Sequence, residues 1–395
     1  MLSATVLALV CFGLVMVFST SSATALLSDG DPLGLALRQA VYALLGLAAF
    51  TAFTRMSPEG MKRLGPPALA FSAFLLLIVL VPSIGAEVNG ARRWIPLGGL
   101  GNLQPSEVAK LALALWVAQA LARPTARLTT PAGLAPFLLV TGVIAVLILI
   151  EPDMETAVIC FAITLTMLLV AGARMKHLGV LVGVGAALAT VAMLAAPYRR
   201  QRFFSFLDPW ADPDGAGFQS VQAQIAVGSG GLHGVGLGDG VQKAFYLPEA
   251  HTDMILATVG EELGLIGVMA VLAAFVLFAV CGYRIALGAR DLHQQVLAAG
   301  LTTFVVMQAV INIGAVLGLL PVAGVPLPFV SFGGSSLIML LACTGILVNI
   351  GRRSPRHTGR LAAVADPAGD DRGRGHGRPR DARAGGGRRA PGAGR

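Results

Sequence analysis

The stretch QKAFYLPEAHTDMILATVGEELG (Gln242–Gly264) sets Lys243, Glu249, His251 and Asp253 directly before an apolar run that begins near Met254 and continues to Cys281. A run of about 20 apolar residues or more crosses the hydrocarbon core of a bilayer as a helix. Ionisable side chains where a loop enters such a helix are costly to keep, and they mark a functional site by default. The position also points to a substrate with one part in lipid and one part in water.

The rest of the chain agrees with a membrane setting. Of its 395 residues 55% are hydrophobic and 13% charged, with a mean hydropathy of +0.75. Soluble domains carry about 25% charged residues. Spans are predicted over 4–27, 33–53, 66–82, 106–122, 133–150, 155–172, 178–196, 254–281, 296–318 and 333–350, the fourth and sixth being short. The expected fold is an all-α integral membrane protein with about ten transmembrane helices and a large extracytoplasmic loop, 197–252, between spans seven and eight. The run Ala4–Leu27 is too long for a signal-peptide core and reads as a retained first helix.

Charge sets the expected orientation. Arg55, Lys62, Arg63, Arg123, Arg127, Arg174, Lys176, Arg284 and Arg290 fall on one side, against Arg38, Arg92, Arg93 and Lys110 once the long loop is set aside. The positive-inside rule then places both termini in the cytoplasm. Residues 1–351 read as one polytopic domain, and 352–395 as a disordered, Gly- and Arg-rich cytoplasmic tail. Most of the net charge of +8 sits in that tail, so it does not argue for nucleic acid. Cys11, Cys160, Cys281 and Cys343 lie in apolar runs without CxxC spacing and read as small hydrophobes, not as a disulfide framework or zinc site.

Several clusters carry chemistry, each with a plainer alternative. Arg92 and Arg93 offer paired donors to a phosphate, or snorkel beside Trp94 at the interface. Glu107 and Lys110, three apart, share a helix face and pair. In EPDMET, Glu151, Asp153 and Glu155 suggest a divalent cation, while Asp153 equally suits a helix cap. Arg199, Arg200 and Arg202 open the large loop, and GSGGLHGVGLG (Gly228–Gly238) reads either as an anion nest or as a flexible turn. Asp253 suits a helix cap or a general base. LPFVSFGGSS (Leu327–Ser336), with Ser331 and Ser335, permits close helix contact.

In one order along the chain, GARRWIPLGG, LQPSEVAK, FLDPWADPDGAGFQ, GSGGLHGVGLG, LPEAHTD, GEELG and PLPFVSFGGSS resemble the SEDS family (shape, elongation, division and sporulation; FtsW, RodA and SpoVE) over about residues 4–351. The QKAFYLPEAHTD form is more similar to the division branch than to the elongation branch. Met254 stands where Phe is usual and Phe332 where Tyr is common. The resemblance implies a peptidoglycan glycosyltransferase that polymerises lipid II at the outer face of the cytoplasmic membrane during septal wall synthesis. It implies Asp253 as the base of an inverting displacement with a polyprenyl-pyrophosphate leaving group. Arg92, Arg93, Trp94, Glu107, Lys110, Lys243, His251, Ser331 and Ser335 are then candidates to contact substrate or pyrophosphate, with Asp153 and Glu151 as weak ligands for Mg2+ or Mn2+. The implied partners are a class B penicillin-binding protein (an FtsI-like transpeptidase) and other divisome proteins. The alternatives are a lipid II flippase, a RodA-type elongation polymerase, or a scaffold that recruits the transpeptidase.

Overall fold

A computed structural model describes residues 1–28, 33–88, 90–98, 101–124 and 128–354. Helices α1 (Leu2–Ser28), α2 (Gly34–Arg55) and α3 (Pro58–Ile78) lead to a small sheet of β1 (Ala86–Val88), β2 (Ala91–Pro96) and β3 (Asn102–Leu103). There follow α4 (Pro105–Leu121), α5 (Pro131–Ile150), α6 (Met154–Val170) and α7 (Met175–Ala195). The large loop holds α8 (Pro197–Leu207), α9 (Phe218–Ser229) and α10 (Gln242–Phe245), and the chain closes with α11 (Ile255–Leu287), α12 (Leu292–Val316) and α13 (Gly334–Arg352). Each predicted span falls on a helix. Among the described residues eight helices are long and apolar enough to cross a bilayer. The remaining two, α4 and α6, have 17 residues each, about 25 Å at 1.5 Å per residue.

Helix starts follow local chemistry. Ser57, Thr130, Asp153 and Asp291 each accept a hydrogen bond from a free N–H in the first turn of α3, α5, α6 and α12. Pro58, Pro105, Pro131 and Pro197 occupy first-turn positions, where their missing N–H costs nothing. The apolar run places the third span at 66–82. The Ser57 cap with Pro58 and Glu59 starts α3 earlier, and the helix carries Pro66 and Pro67 inside it.

Helices α12 and α13 form the centre: α13 packs along α2, and α12 meets α11, α6 and α4. Helix α7 is peripheral, with only Leu178 buried. At one end, Asn349 donates to the Phe53 and Met56 carbonyls (2.7 Å each), and Ser354 donates to Gly288 O (2.7 Å), fastening the end of α13. Of the expected tail, 352–354 complete this end, and 355–395 lie outside the described residues.

Two of the connecting segments carry structure of their own. The segment between α3 and α4 is not plain coil. Its strands pair antiparallel in the order β1-β2-β3, with Glu87 opposite Arg92 and Ile95 opposite Leu103. The large loop carries α8, α9 and α10, of which α9 buries Val221, Ala223 and Ala226 and packs on α11.

The GSGGLHGVGLG segment also has a structural task. Helix α11 breaks at Gly264, whose φ of 67° and ψ of −164° suit glycine. The glycine-rich segment repairs the break. Val235 and Gly236 donate to the Glu261 and Glu262 carbonyls (3.0 and 3.1 Å), while Leu265 and Ile266 donate to Gly231 O and Leu232 O (2.9 and 3.3 Å). Those N–H groups face backbone carbonyls rather than an anion, so the nest reading gives way to a helix splice.

Candidate active site

Asp253 lies in a tight turn at the head of α11. Glu249, at φ 54°, starts the turn, and its carbonyl accepts from Thr252 N (3.1 Å) and Met254 N (3.2 Å). The cap position of α11 belongs to Met254, with no side-chain cap bond. The capping alternative for Asp253 therefore falls away. Its carboxylate instead lies 3.3 Å from the Thr252 hydroxyl, which is 2.6 Å from Glu249 Oε2. The Asp253 carbonyl accepts from Asn312 Nδ2 (2.7 Å), whose amide also donates to Val325 O (2.9 Å). His251 is held by Phe332, whose N–H donates to its carbonyl (2.9 Å) and whose ring sits 5.9 Å from the imidazole. Burial first, and the Glu249 charge second, push the Asp253 carboxyl up to about 7, against a smaller opposing pull from Arg202 on α8. Burial holds the His251 imidazole below its usual range, with Glu249 opposing.

Two lysines expected to reach substrate are closed off. Lys110 is 0% exposed. Its ammonium donates to Glu107 Oε1 and Gln308 Oε1, both at 2.8 Å, and sits 4.6 Å from the Phe304 ring centre. Gln308 in turn donates to Pro326 O (3.1 Å) and Ser336 Oγ (3.2 Å). The pair joins α4 and α12 beneath the 317–333 segment. Lys243 is 4% exposed. It pairs with Glu262 and donates to Ser19 Oγ (2.9 Å) and Gly238 O (2.8 Å). Next to it, Glu261 Oε1 accepts from the Val241 and Gln242 amides (2.8 and 3.0 Å). Glu107, Lys110 and Lys243 thus fasten elements together, which corrects their reading as headgroup clamps: a fully desolvated ammonium surrounded by its own partners presents no face to a pyrophosphate.

The remaining candidates divide. Arg92 and Arg93 are neighbours on β2 and so point to opposite faces. Arg92 pairs with Glu87 (3.0 Å) and stays half-exposed. Arg93 donates to the carbonyls of Glu151 (2.8 Å) and Pro152, bracing the α5–α6 turn. Trp94 lies partly buried opposite Ala86. Ser331 Oγ accepts from Leu327 N (2.8 Å), holding the 327–331 turn, and Ser335 Oγ accepts from Gln104 N (3.2 Å), tying the start of α13 to the residue before α4.

Asp153 caps α6 through Thr156 N (3.1 Å) and takes longer bonds from Gln104 and Ser106 (3.4 Å each). Burial, reinforced by Asp153, pushes the Glu151 carboxyl up to about 9, so it is protonated near neutral pH. Among the described residues no three His, Cys, Asp or Glu side chains converge as metal ligands. A capping carboxylate and a protonated neighbour do not fit a resident divalent cation.

Sequence reading missed Gln308 and Asn312, the two amides that tie α12 to the Lys110 pair and to the Asp253 turn. A signal was there: the two are four apart in the apolar MQAVIN, so they share one face of a membrane span. It also passed over Glu261 and Glu262 as anchors of the large loop.

A family model described as cell cycle protein, FtsW/RodA/SpoVE, matches residues 1–356. The chain belongs to the FtsW/RodA/SpoVE family. Relatives called probable peptidoglycan glycosyltransferase FtsW include one from Alkalilimnicola ehrlichii, 46% identical over 353 residues and covering 88% of each chain. Another, from Geobacter metallireducens, is 41% identical over 347 residues, covering 88% of this chain and 92% of its own. Among solved structures, a chain of a peptidoglycan synthase complex that coordinates polymerization and crosslinking superposes with a TM-score of 0.74 at 32% identity, covering 90% of this chain and 98% of that one. Thermus thermophilus RodA superposes with a TM-score of 0.66 at 30% identity, covering 90% and 96%. Within this SEDS chain, the half-buried Asp253 stands at the head of α11, within reach of the Arg202 charge from the large loop, while Arg93 of β2 braces the α5–α6 turn.

Proposed function

We propose that this chain is a peptidoglycan glycosyltransferase that polymerises lipid II at the outer face of the cytoplasmic membrane during septal wall synthesis. The observation that carries the mechanism is the Asp253 turn: a half-buried carboxylate at a membrane boundary that caps no helix and that burial pushes up to about 7. A sugar hydroxyl of the acceptor attacks the anomeric carbon of the donor, and Asp253 takes its proton. The bond from that carbon to the pyrophosphate oxygen breaks as the new glycosidic bond forms. One displacement inverts the anomeric centre and requires only one carboxylate base.

The departing polyprenyl pyrophosphate needs positive charge rather than a protonating acid. Arg92, Arg93 and Arg202 supply it in this reading, since Lys110 and Lys243 are enclosed. A divalent cation, where one assists, arrives with the pyrophosphate instead of residing on Asp153 and Glu151. Both termini lie in the cytoplasm, and the enzyme works at the septum beside an FtsI-like class B penicillin-binding protein and other divisome proteins. The relatives' names and the likeness to a synthase complex support this setting.

The test supplies labelled lipid II to the purified complex of this chain with its transpeptidase. Wild type makes glycan polymer, and Asp253→Asn makes almost none while the complex still assembles. Normal polymer from that variant removes the base assignment. Lipid II translocation in liposomes without any polymer from the complex favours a flippase instead.

A further inference from the structure

We propose that Thr252 and Glu249 form a proton exit from Asp253 to solvent, clearing the base after each glycosidic bond. The inference rests on Asp253 as the base and adds the route by which it is reset. Three side-chain oxygens lie in a row: Asp253 Oδ1, Thr252 Oγ1 at 3.3 Å, and Glu249 Oε2 a further 2.6 Å on. They run from a half-buried position to an exposed one.

The turn does not need the Glu249 carboxylate for its own closure. The Glu249 carbonyl closes it, through the amides of Thr252 and Met254. Leu247, Ala250 and Met254 anchor the turn at 6%, 5% and 0% exposure, leaving Glu249 outside. Glu249 nevertheless sits at φ 54°, a left-handed conformation rare for a residue with a side chain. Such strain is kept where the surroundings enforce it, commonly at functional sites. Here it coincides with a carboxylate folded back onto the hydroxyl next to the base.

Thr252 has one hydroxyl proton to give. With Asp253 ionised, that proton serves Glu249 over the shorter distance. Once Asp253 has taken the acceptor's proton, its O–H donates to Thr252 Oγ1, and the Thr252 proton passes to Glu249 Oε2. Glu249 then releases a proton to water. No bond other than O–H changes, both carboxylates are restored, and one proton leaves per bond formed. The other charge felt by Asp253 is Arg202, from α8. His251 feels Glu249 but is packed on Phe332, away from the row.

The experiment uses the purified complex with labelled lipid II, comparing wild type with Glu249→Gln, Thr252→Val, Thr252→Ser and Asp253→Asn over a range of pH and buffer concentration. Glu249→Gln is expected to lower kcat about tenfold, less than loss of the base itself, with KM little changed. Its acid limb moves to lower pH, because a like charge beside Asp253 is removed. Rising concentrations of acetate or imidazole restore its rate by carrying the proton instead. Thr252→Val loses rate similarly, and Thr252→Ser recovers most of that loss. Buffer rescue also shows that the variant is folded. An inactive Asp253→Asn together with wild-type kcat in Glu249→Gln, or with a slow Glu249→Gln that no buffer restores, overturns the exit while leaving the base intact. An active Asp253→Asn overturns the base reading itself.

Discussion

Asp253 gains its character from its surroundings. An aspartate in water is ionised well below neutral pH, but burial and the nearby Glu249 charge bring this one to about 7. As a base it works only when ionised, so kcat/KM for polymer formation rises about tenfold per pH unit up to about 7 and then levels. A profile flat from pH 5 to 8 contradicts this. Lys110 shows the opposite economy, with full burial and complete pairing. Lys110→Met leaves Glu107 as an unpaired charge in the bundle and costs about 3–5 kcal/mol. The double change Glu107→Gln with Lys110→Met removes both charges and recovers much of that loss, read as Tm in detergent. The sequence announced the pair through its three-residue spacing. It did not announce Gln308, which lies 198 residues away and takes the same ammonium.

Among the elements, α11 combines a head that presents Asp253 with a break that receives the large loop. At Gly264 an added Cβ would stand 2.4 Å from Gly234 N and 2.5 Å from Leu232 O, on a backbone that side-chain-bearing residues avoid. Gly264→Ala therefore unseats the loop, and protease should nick 228–243 far faster than in wild type. Lys243→Met acts on the same joint from the other side by stranding Glu262, and it should raise the same nicking. Equal protection of both variants and wild type removes the idea of a pinned loop. The glycines of this loop were legible as special, but their purpose was not. A nest and a splice both need closely approaching backbone, and only the broken turn of α11 tells them apart.

At the level of the whole molecule, polar chemistry gathers at one end of the bundle: the sheet, the α5–α6 turn, the large loop and the 317–333 segment. The opposite end holds Lys62 with Asp291 (3.6 Å) and the fastening around Met56 and Gly288. The proposed orientation predicts that Asp214→Cys, exposed on the large loop, reacts with an impermeant maleimide in intact spheroplasts. Arg290→Cys, exposed in the turn between α11 and α12, should react only after permeabilisation. The reverse pattern inverts the topology.

By itself the sequence determined the membrane fold and the order of its helices. Spans depend on local runs of apolar residues, and starts on caps and prolines a few residues away. It also marked Asp253, through the motif around it. The tertiary structure alone decided which charges remain open. Lys243 looked as available as Asp253 until α1 brought Ser19 to it from 224 residues away and the splice placed Glu262 alongside. Burial belongs to the packed bundle and not to any segment of it, so a charge seen in sequence becomes a catalyst or a fastener only when distant helices close around it or leave it free.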